Sequence, residues 1–276
     1  MFPISIGIAT VAMASGVEGA TFFTPIFILL LGLEPAVAIG TGLITEVFGF
    51  GSGLVAYYRK RLIDYRLGGA LLMVTVPMAL VGTWIATMVD AGLLKAVLGV
   101  GLLAVAASFL RSPAAETVKR LDDDISSASG EGSTRVLTTA EGETIRYTVC
   151  NRVEGSAIAG VGALFLGMVS TGLGEMNGYF LLKRCRVPSK VAVATSVLVV
   201  AVSALVASIG HVAGFLKEGG SALNTVMSLV IFTVPGVVIG GQLGSLVASR
   251  ISQNVLERAL GILFLVVALL MLAPGR

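Results

Sequence analysis

Two glutamates sit where an apolar chain has little room for them. Glu18 lies between Gly16 and Gly19 in the run Ala14–Pro25 (ASGVEGATFFTP), and Glu175 stands among Gly172, Gly174 and Gly178 in Thr171–Gly178 (TGLGEMNG). The residues around both are those of membrane helices, and an ionised carboxylate near a bilayer centre costs about 2.5 kcal/mol or more. A carboxyl so placed must face a cavity, find a partner or hold a proton. No Lys or Arg lies within the adjacent apolar pieces. The chemistry that fits is proton exchange coupled to a moving substrate. The plainer alternative is a protonated side chain donating to a backbone carbonyl freed at a helix break.

The glycines carry a second kind of chemistry. A helix that restarts after a glycine break presents unpaired N–H groups and the positive end of its dipole, which together hold a small anion without any Lys or Arg. Gly16, Gly19, Ala20 and Thr21 form one such start, and Gly172, Gly174 and Asn177 the other. Thr41, Thr195 and Ser196 stand early in the following spans, with hydroxyls available to the same anion. The competing reading is that the glycines serve only close helix packing and the hydroxyls only cap carbonyls.

Other reactive residues are few. Glu46 lies mid-span with Val200 at the matching place in the second half, and is the weaker carboxyl. His211, the only histidine, reads as structural or interfacial. Cys150 and Cys185 have no metal-binding spacing and suggest no disulfide framework, so they read as inert thiols. Tyr57–Arg66 (YYRKRLIDYR) reads as an interfacial anchor in which Asp64 pairs with Arg61 or Arg66. Neither a zinc-protease H-E-x-x-H, a G-x-S-x-G elbow nor a Walker loop occurs, so no catalytic residue, metal or cofactor is expected and the chain does not read as an enzyme.

The elements that must position these groups are membrane helices. The 276 residues are 55% hydrophobic and 13% charged, where soluble domains carry about 25% charged residues. Apolar runs long enough to cross roughly 30 Å of hydrocarbon recur along the chain. They are continuous rather than alternating, which disfavours a β-barrel. The 35 glycines suit close packing of transmembrane helices. Basic residues flank the spans instead of forming one patch, so nucleic acid is not an expected partner; the lipid bilayer is. The N-terminal stretch has an A-x-A-like spacing at Ala12 and Ala14 but no basic n-region, and is read as part of the mature protein.

The chain is an internal duplication. Val76–Gly82 (VPMALVG) matches Val234–Gly240 (VPGVVIG), Leu98–Ala106 matches Leu260–Ala268, Ala38–Gly42 matches Ala192–Ser196, and Gly16–Ala20 matches Gly172–Gly178, all in the same order. The expected units are repeat 1 over 1–111, a polar insert over 112–152 and repeat 2 over 153–276. The insert reads as a solvated connector, and the alternation over Thr134–Val149 around Glu141-Gly142 suits a small β-hairpin. Each repeat begins with a pair of short apolar pieces (2–15 and 21–33; 153–168 and 175–183). Three spans follow, near 35–57, 66–89 and 92–110 in the first half, and near 187–212, 221–247 and 252–273 in the second.

Each short pair is either a re-entrant hairpin or one broken crossing helix. With hairpins, sixteen of the 19 lysines and arginines fall on one side and only Lys95, Lys217 and Arg276 on the other. With broken crossing helices the split is twelve against seven. The positive-inside rule selects hairpins. A hairpin plus three crossings is an odd number of traverses, so the second repeat is inverted and the site is expected where the two breaks meet. The fold class is thus an all-α polytopic membrane protein of two inverted-topology repeats, each a re-entrant or broken helical hairpin plus three transmembrane helices. Both termini are expected outside and the insert in the cytoplasm.

The first half also resembles a known family. Gly16–Arg66 is similar to the first-half signature of TauE/SafE-type sulfite exporters: a glycine-rich start, Pro25, a G-x-x-P-x-x-A-x-G-T element at Gly32–Thr41 and a Y-x-R-x-x-x-x-D loop at Tyr57–Asp64. Val76–Gly82 and Val187–Ser196 (VPSKVAVATS) fit its later elements. The resemblance implies an inner-membrane secondary carrier, an exporter of sulfite, thiosulfate, a sulfonate or a related small anion. Two positions depart from it: Glu18 interrupts the glycine cluster, and Gly42 follows Thr41 in place of the usual serine. Beside an alternating-access carrier, with or without proton coupling, the residues leave open an importer or carrier of another small anion such as an organic acid, and a non-transporting membrane scaffold. Oligomeric state has no signature in the sequence.

Overall fold

A computed structural model describes residues 1–15, 18–110, 134–148, 152–185, 187–217, 220–248 and 253–273. The first half runs α1 (Phe2–Ser15), α2 (Ala20–Leu29), α3 (Pro35–Arg59), α4 (Tyr65–Ala86) and α5 (Ala91–Leu110). Strands β1 (Thr134–Thr138) and β2 (Thr144–Thr148) follow. The second half runs α6 (Arg152–Val169), α7 (Leu173–Gly178) continuing into a π-helical turn at Tyr179–Arg184, α8 (Ser189–Lys217), α9 (Ser221–Ala248) and α10 (Gln253–Leu272). Five of these helices, α3, α4, α5, α8 and α9, are long and apolar enough to cross a membrane. In α10 the apolar stretch is shorter than the expected full span, covering Arg258–Leu272 among the described residues. The protein is an all-α polytopic membrane protein.

Local sequence explains where the helices start and stop. Asp64 Oδ1 accepts the Arg66 and Leu67 amides at 3.0 and 2.9 Å and begins α4; Asp90 Oδ1 accepts the Gly92 and Leu93 amides at 3.0 Å each and begins α5. Pro35 occupies the first turn of α3, where its missing N–H costs nothing. Gly32, at φ +63°, takes the left-handed conformation beyond the end of α2, and the Leu33 amide returns to the Phe27 carbonyl.

Packing exchanges between the halves. Helix α1 lies on α9, and α6 lies on α4; α3 packs on α8 and α9, α8 on α4, and α5 on α10. The close approaches repeat at the offset that relates Val76–Gly82 to Val234–Gly240. A Cβ on Gly82 would stand 2.1 Å from the Leu164 carbonyl oxygen, and one on Gly240 would stand 2.4 Å from the Ile6 carbonyl oxygen. Two buried hydroxyl pairs obey the same offset, Thr45 with Thr233 and Ser203 with Thr75, each at 2.9 Å. This register places Ala204, not Val200, opposite Glu46 in the second half; neither is ionisable.

Two expectations about the insert and its surroundings change. The hairpin is present, with Thr134 opposite Thr148 and Thr138 opposite Thr144, but it is docked rather than a solvated connector. Tyr147 is buried and packs in the main core, with Leu137 and Ile145 against it. Cys185 is disulfide-bonded, which corrects its reading as an inert thiol; Cys150, the other cysteine of the chain, lies outside the described residues.

Candidate functional site

The two helix breaks meet in the middle of the fold. The second break, Ser170–Gly172, turns through two left-handed residues: Ser170 at φ 60° and Gly172 at φ 112°. A non-glycine residue held there stores strain, which the surroundings must over-determine. Here the Ser170 hydroxyl bonds Thr24 of α2 at 2.7 Å, and Thr171 bonds Thr21 of α2 at 2.9 Å. All four side chains are buried.

Glu18 completes the junction. Its carboxylate, 1% exposed, leaves the first break and accepts the Gly172 amide at 3.2 Å and the Gly174 amide through its other oxygen. The amides that begin α7 are therefore engaged by a carboxyl group of the other half, as the unpaired N–H groups of a helix start require. A Cβ on Gly174 would stand 2.8 Å from Glu18 Oε1, so glycine is what admits the carboxylate.

Two further carboxyls belong to this region. Both Glu175 oxygens are buried without a hydrogen-bond partner. That residue, with Thr171, Gly172 and Met176, lines a cavity of about 620 Å³ whose other wall is α5 at Leu93, Val97, Val100 and Gly101. Glu46, 2% exposed, also has both oxygens without a partner. It lies against the Gly19 and Ala20 amides at the start of α2, in a void of about 20 Å³ shared with Ala9, Thr45 and Phe50. Glu18, Glu46 and Glu175 are close enough to repel one another when ionised. Among the described residues no group of three or more His, Cys, Asp or Glu could hold a metal ion.

The sequence-predicted residues divide accordingly. Gly19 caps α2, Ala20 is its first residue and Thr21 lies in its first turn, with Thr21 bonded to Thr171 of the second break and the Gly19 and Ala20 amides beside Glu46. Gly172 and Gly174 hold Glu18. Asn177, fully buried on α7, has no partner for either amide atom. Gly16 lies outside the described residues. Thr41 turns inward to its own helix, donating to the Val37 carbonyl at 2.7 Å. Beside it a Cβ on Gly42 would stand 2.5 Å from Thr24 Oγ1, so glycine there lets α2 lie against α3. Thr195 accepts the Asp64 amide at 3.1 Å, which ties α8 to the α3–α4 connection; Ser196 is buried beside it. His211 is structural, its Nε2 hydrogen-bonding the Gly167 carbonyl at 2.9 Å.

Glu46 reads from the sequence as the weaker carboxyl because repeat symmetry gives it no counterpart. The signal that raises its rank is its cost: a mid-span carboxyl with no basic residue nearby needs a reason of its own. Asp64 pairs with neither Arg61 nor Arg66; Arg135 of the insert takes it, at 2.5 Å.

Comparison with known proteins agrees with this architecture. The family profile described as "Sulfite exporter TauE/SafE" matches residues 1–271. A curated relative, the "Probable membrane transporter protein YunE" of Bacillus subtilis (strain 168), is 22% identical over 259 residues, covering 94% of this chain and 89% of that protein. No solved structure matches. With the family profile spanning both broken hairpins and all the long helices, the chain belongs to the TauE/SafE sulfite exporter family of membrane transporters.

Proposed function

We propose that this chain is a secondary transporter, an exporter, of a small sulfur-containing anion such as sulfite, thiosulfate or a sulfonate. It works by alternating access between two inverted repeats, residues 1–111 and 153–276, joined by the 112–152 insert. The observation that carries the reading is the Glu18 carboxylate on the Gly172 and Gly174 amides. Those N–H groups already hold the oxygens of a carboxyl group, and they do so without a Lys or Arg. The transported anion takes the same kind of seat, where the two breaks meet, with Gly19, Ala20, Thr21 and Asn177 around it. Thr41, Thr195 and Ser196 stand at the starts of α3 and α8, which carry the two halves of the site.

Three carboxyls around an anion seat would repel the substrate if all were ionised. Glu18 and Glu175, with Glu46 beside them, therefore take up protons as the anion enters and release them as it leaves. The cavity along α5 that reaches Thr171, Gly172 and Glu175 supports a path to the seat. The exchanged packing of α1 on α9 and α6 on α4 supports the inverted repeat. The excess of basic residues on one face supports an inner-membrane setting with both termini outside and the insert in the cytoplasm.

Flux into proteoliposomes tests the proposal. Saturable uptake of sulfite, thiosulfate or methanesulfonate, with weaker uptake of lactate, is expected. Preference for lactate would move the substrate to organic acids, and no flux of any anion would leave a scaffold. Glu18→Gln and Glu175→Gln should each flatten the pH dependence of flux. Unchanged profiles in both would reduce the two glutamates to structural parts.

A further inference from the structure

The insert is more than a link between the halves. Its β1–β2 hairpin grips the α3–α4 connection at three points. Arg135 Nη1 donates to Asp64 Oδ2 at 2.5 Å, Tyr147 Oη donates to the same oxygen at 2.6 Å, and the Ala140 amide donates to the Lys60 carbonyl at 3.1 Å. The hairpin also reaches the second half, where Lys190 at the start of α8 pairs with Glu143 at 3.3 Å. A separate apolar cluster joins all three parts: Leu62 and Ile63 of the connection, Ala194 and Leu198 of α8, and Ile145 of β2.

Asp64 is the hub of this arrangement. One carboxylate oxygen caps α4, the other takes Arg135 and Tyr147, and its amide donates to Thr195 on α8. The two halves are thus tied to each other through Asp64 and Thr195, and the hairpin is strapped across the tie. Between the hairpin turn, the end of α3 and the start of α8 lies a cavity of about 410 Å³, lined by Tyr57, Lys60, Thr139, Glu143, Ser189 and Lys190. The exposed Lys190–Glu143 pair contributes little to holding the strap. The partly buried Arg135–Asp64–Tyr147 cluster, with a charged acceptor and two donors, is the strong point.

We propose that the hairpin is a latch that holds the α3–α8 end of the transporter closed, and that Arg135 and Tyr147 must leave Asp64 each time this end opens. The inference rests on the alternating-access reading above, because only a protein whose halves move apart at this end needs a strap that can release. The latch makes transport through this end depend on the β1–β2 hairpin of the insert.

A crosslink tests it. Lys60→Cys and Ala140→Cys together place two thiols across the backbone bond between the hairpin turn and the α3–α4 connection, for closure with a short bismaleimide. Sulfite and methanesulfonate flux into proteoliposomes is the readout, with the native protein treated identically. The crosslinked protein should lose at least tenfold in flux, while the double variant without crosslinker transports normally. Arg135→Ala and Tyr147→Phe provide a second arm: hydrogen exchange at the β1 and β2 amides should quicken at least tenfold, with flux altered at least twofold. Full flux through the crosslinked protein, or unchanged flux with a freely exchanging hairpin, overturns the latch while leaving the transporter reading in place. Absence of flux in the native protein overturns both.

Discussion

Gly174→Ala isolates the contact between Glu18 and the second helix break. The added Cβ would stand 2.8 Å from Glu18 Oε1 and 3.3 Å from Cδ, and a carboxylate at the end of a flexible side chain gives way more easily than backbone. The substitution therefore expels Glu18 from the Gly172 and Gly174 amides without removing the acid. Hydrogen bonds to a buried carboxyl contribute about 1.5 kcal/mol each, so the pair loses about 3 kcal/mol. Alanine returns about 1 kcal/mol through its better helix propensity. The net cost is about 2 kcal/mol, or a fall of roughly 5 °C in melting temperature for a chain of this size. Gly178→Ala, on the same helix with open space at its Cβ, gains the propensity without the clash and should be neutral or slightly stabilising. Thermal unfolding in detergent separates the two. In a Glu18→Ala background the Gly174→Ala penalty should vanish and leave only the propensity gain of about 1 kcal/mol, a coupling of about 3 kcal/mol in a double-mutant cycle. Equal effects of Gly174→Ala and Gly178→Ala, or an undiminished penalty without Glu18, would refute the contact.

Two other outcomes follow from the same structure. Gly82→Ala and Gly240→Ala press a Cβ onto backbone oxygens of Leu164 and Ile6; each should cost about 1–3 kcal/mol by overpacking, whereas Gly7→Ala, in open space, should be neutral. A tolerated Gly82→Ala with a damaging Gly240→Ala would break the equivalence of the two crossings. Hairpin docking should hold across neutral and mildly acid pH. Burial works to raise the Asp64 carboxyl, but bonds from Tyr147, the Leu67 amide and Arg135 outweigh it and hold the group below its ordinary value. A depressed carboxyl gives stability that is complete above its unfolded pKa and is lost as pH falls through the folded one. Tyr147 is pushed up by burial and by Asp64, so it stays protonated and donating through alkaline pH. Limited proteolysis of the hairpin should therefore be flat from about pH 5 to 9 and rise only in stronger acid; release at pH 6 would contradict the clasp.

Much of the fold was legible because its signals are local and repeated. Val76–Gly82 and Val234–Gly240 share one offset, and the same offset relates the Thr45–Thr233 pair to the Ser203–Thr75 pair in three dimensions. Composition alone required membrane helices, and the glycines around Glu18 and Glu175 marked both breaks within a few residues. Relations between distant segments were not legible. The amides of Gly172 and Gly174 looked open to a ligand, yet Glu18 from the other half sits on them. Arg135 outcompetes the sequence neighbours Arg61 and Arg66 for Asp64 because the hairpin brings it with Tyr147 into a partly buried pocket. Glu46 ranks as the weaker carboxyl in the sequence because repeat symmetry gives it no counterpart, yet it lies beside Glu18 and Glu175.

The central claim, that the meeting point of the two breaks is an anion seat, is tested most directly by a structure determined with sulfite or methanesulfonate bound. The account predicts anion density between the start of α2 and the start of α7, within hydrogen-bonding reach of amides among Gly19, Ala20, Gly172 and Gly174, with the Glu18 carboxylate displaced. Density elsewhere, with Glu18 still on the Gly172 and Gly174 amides, would contradict it.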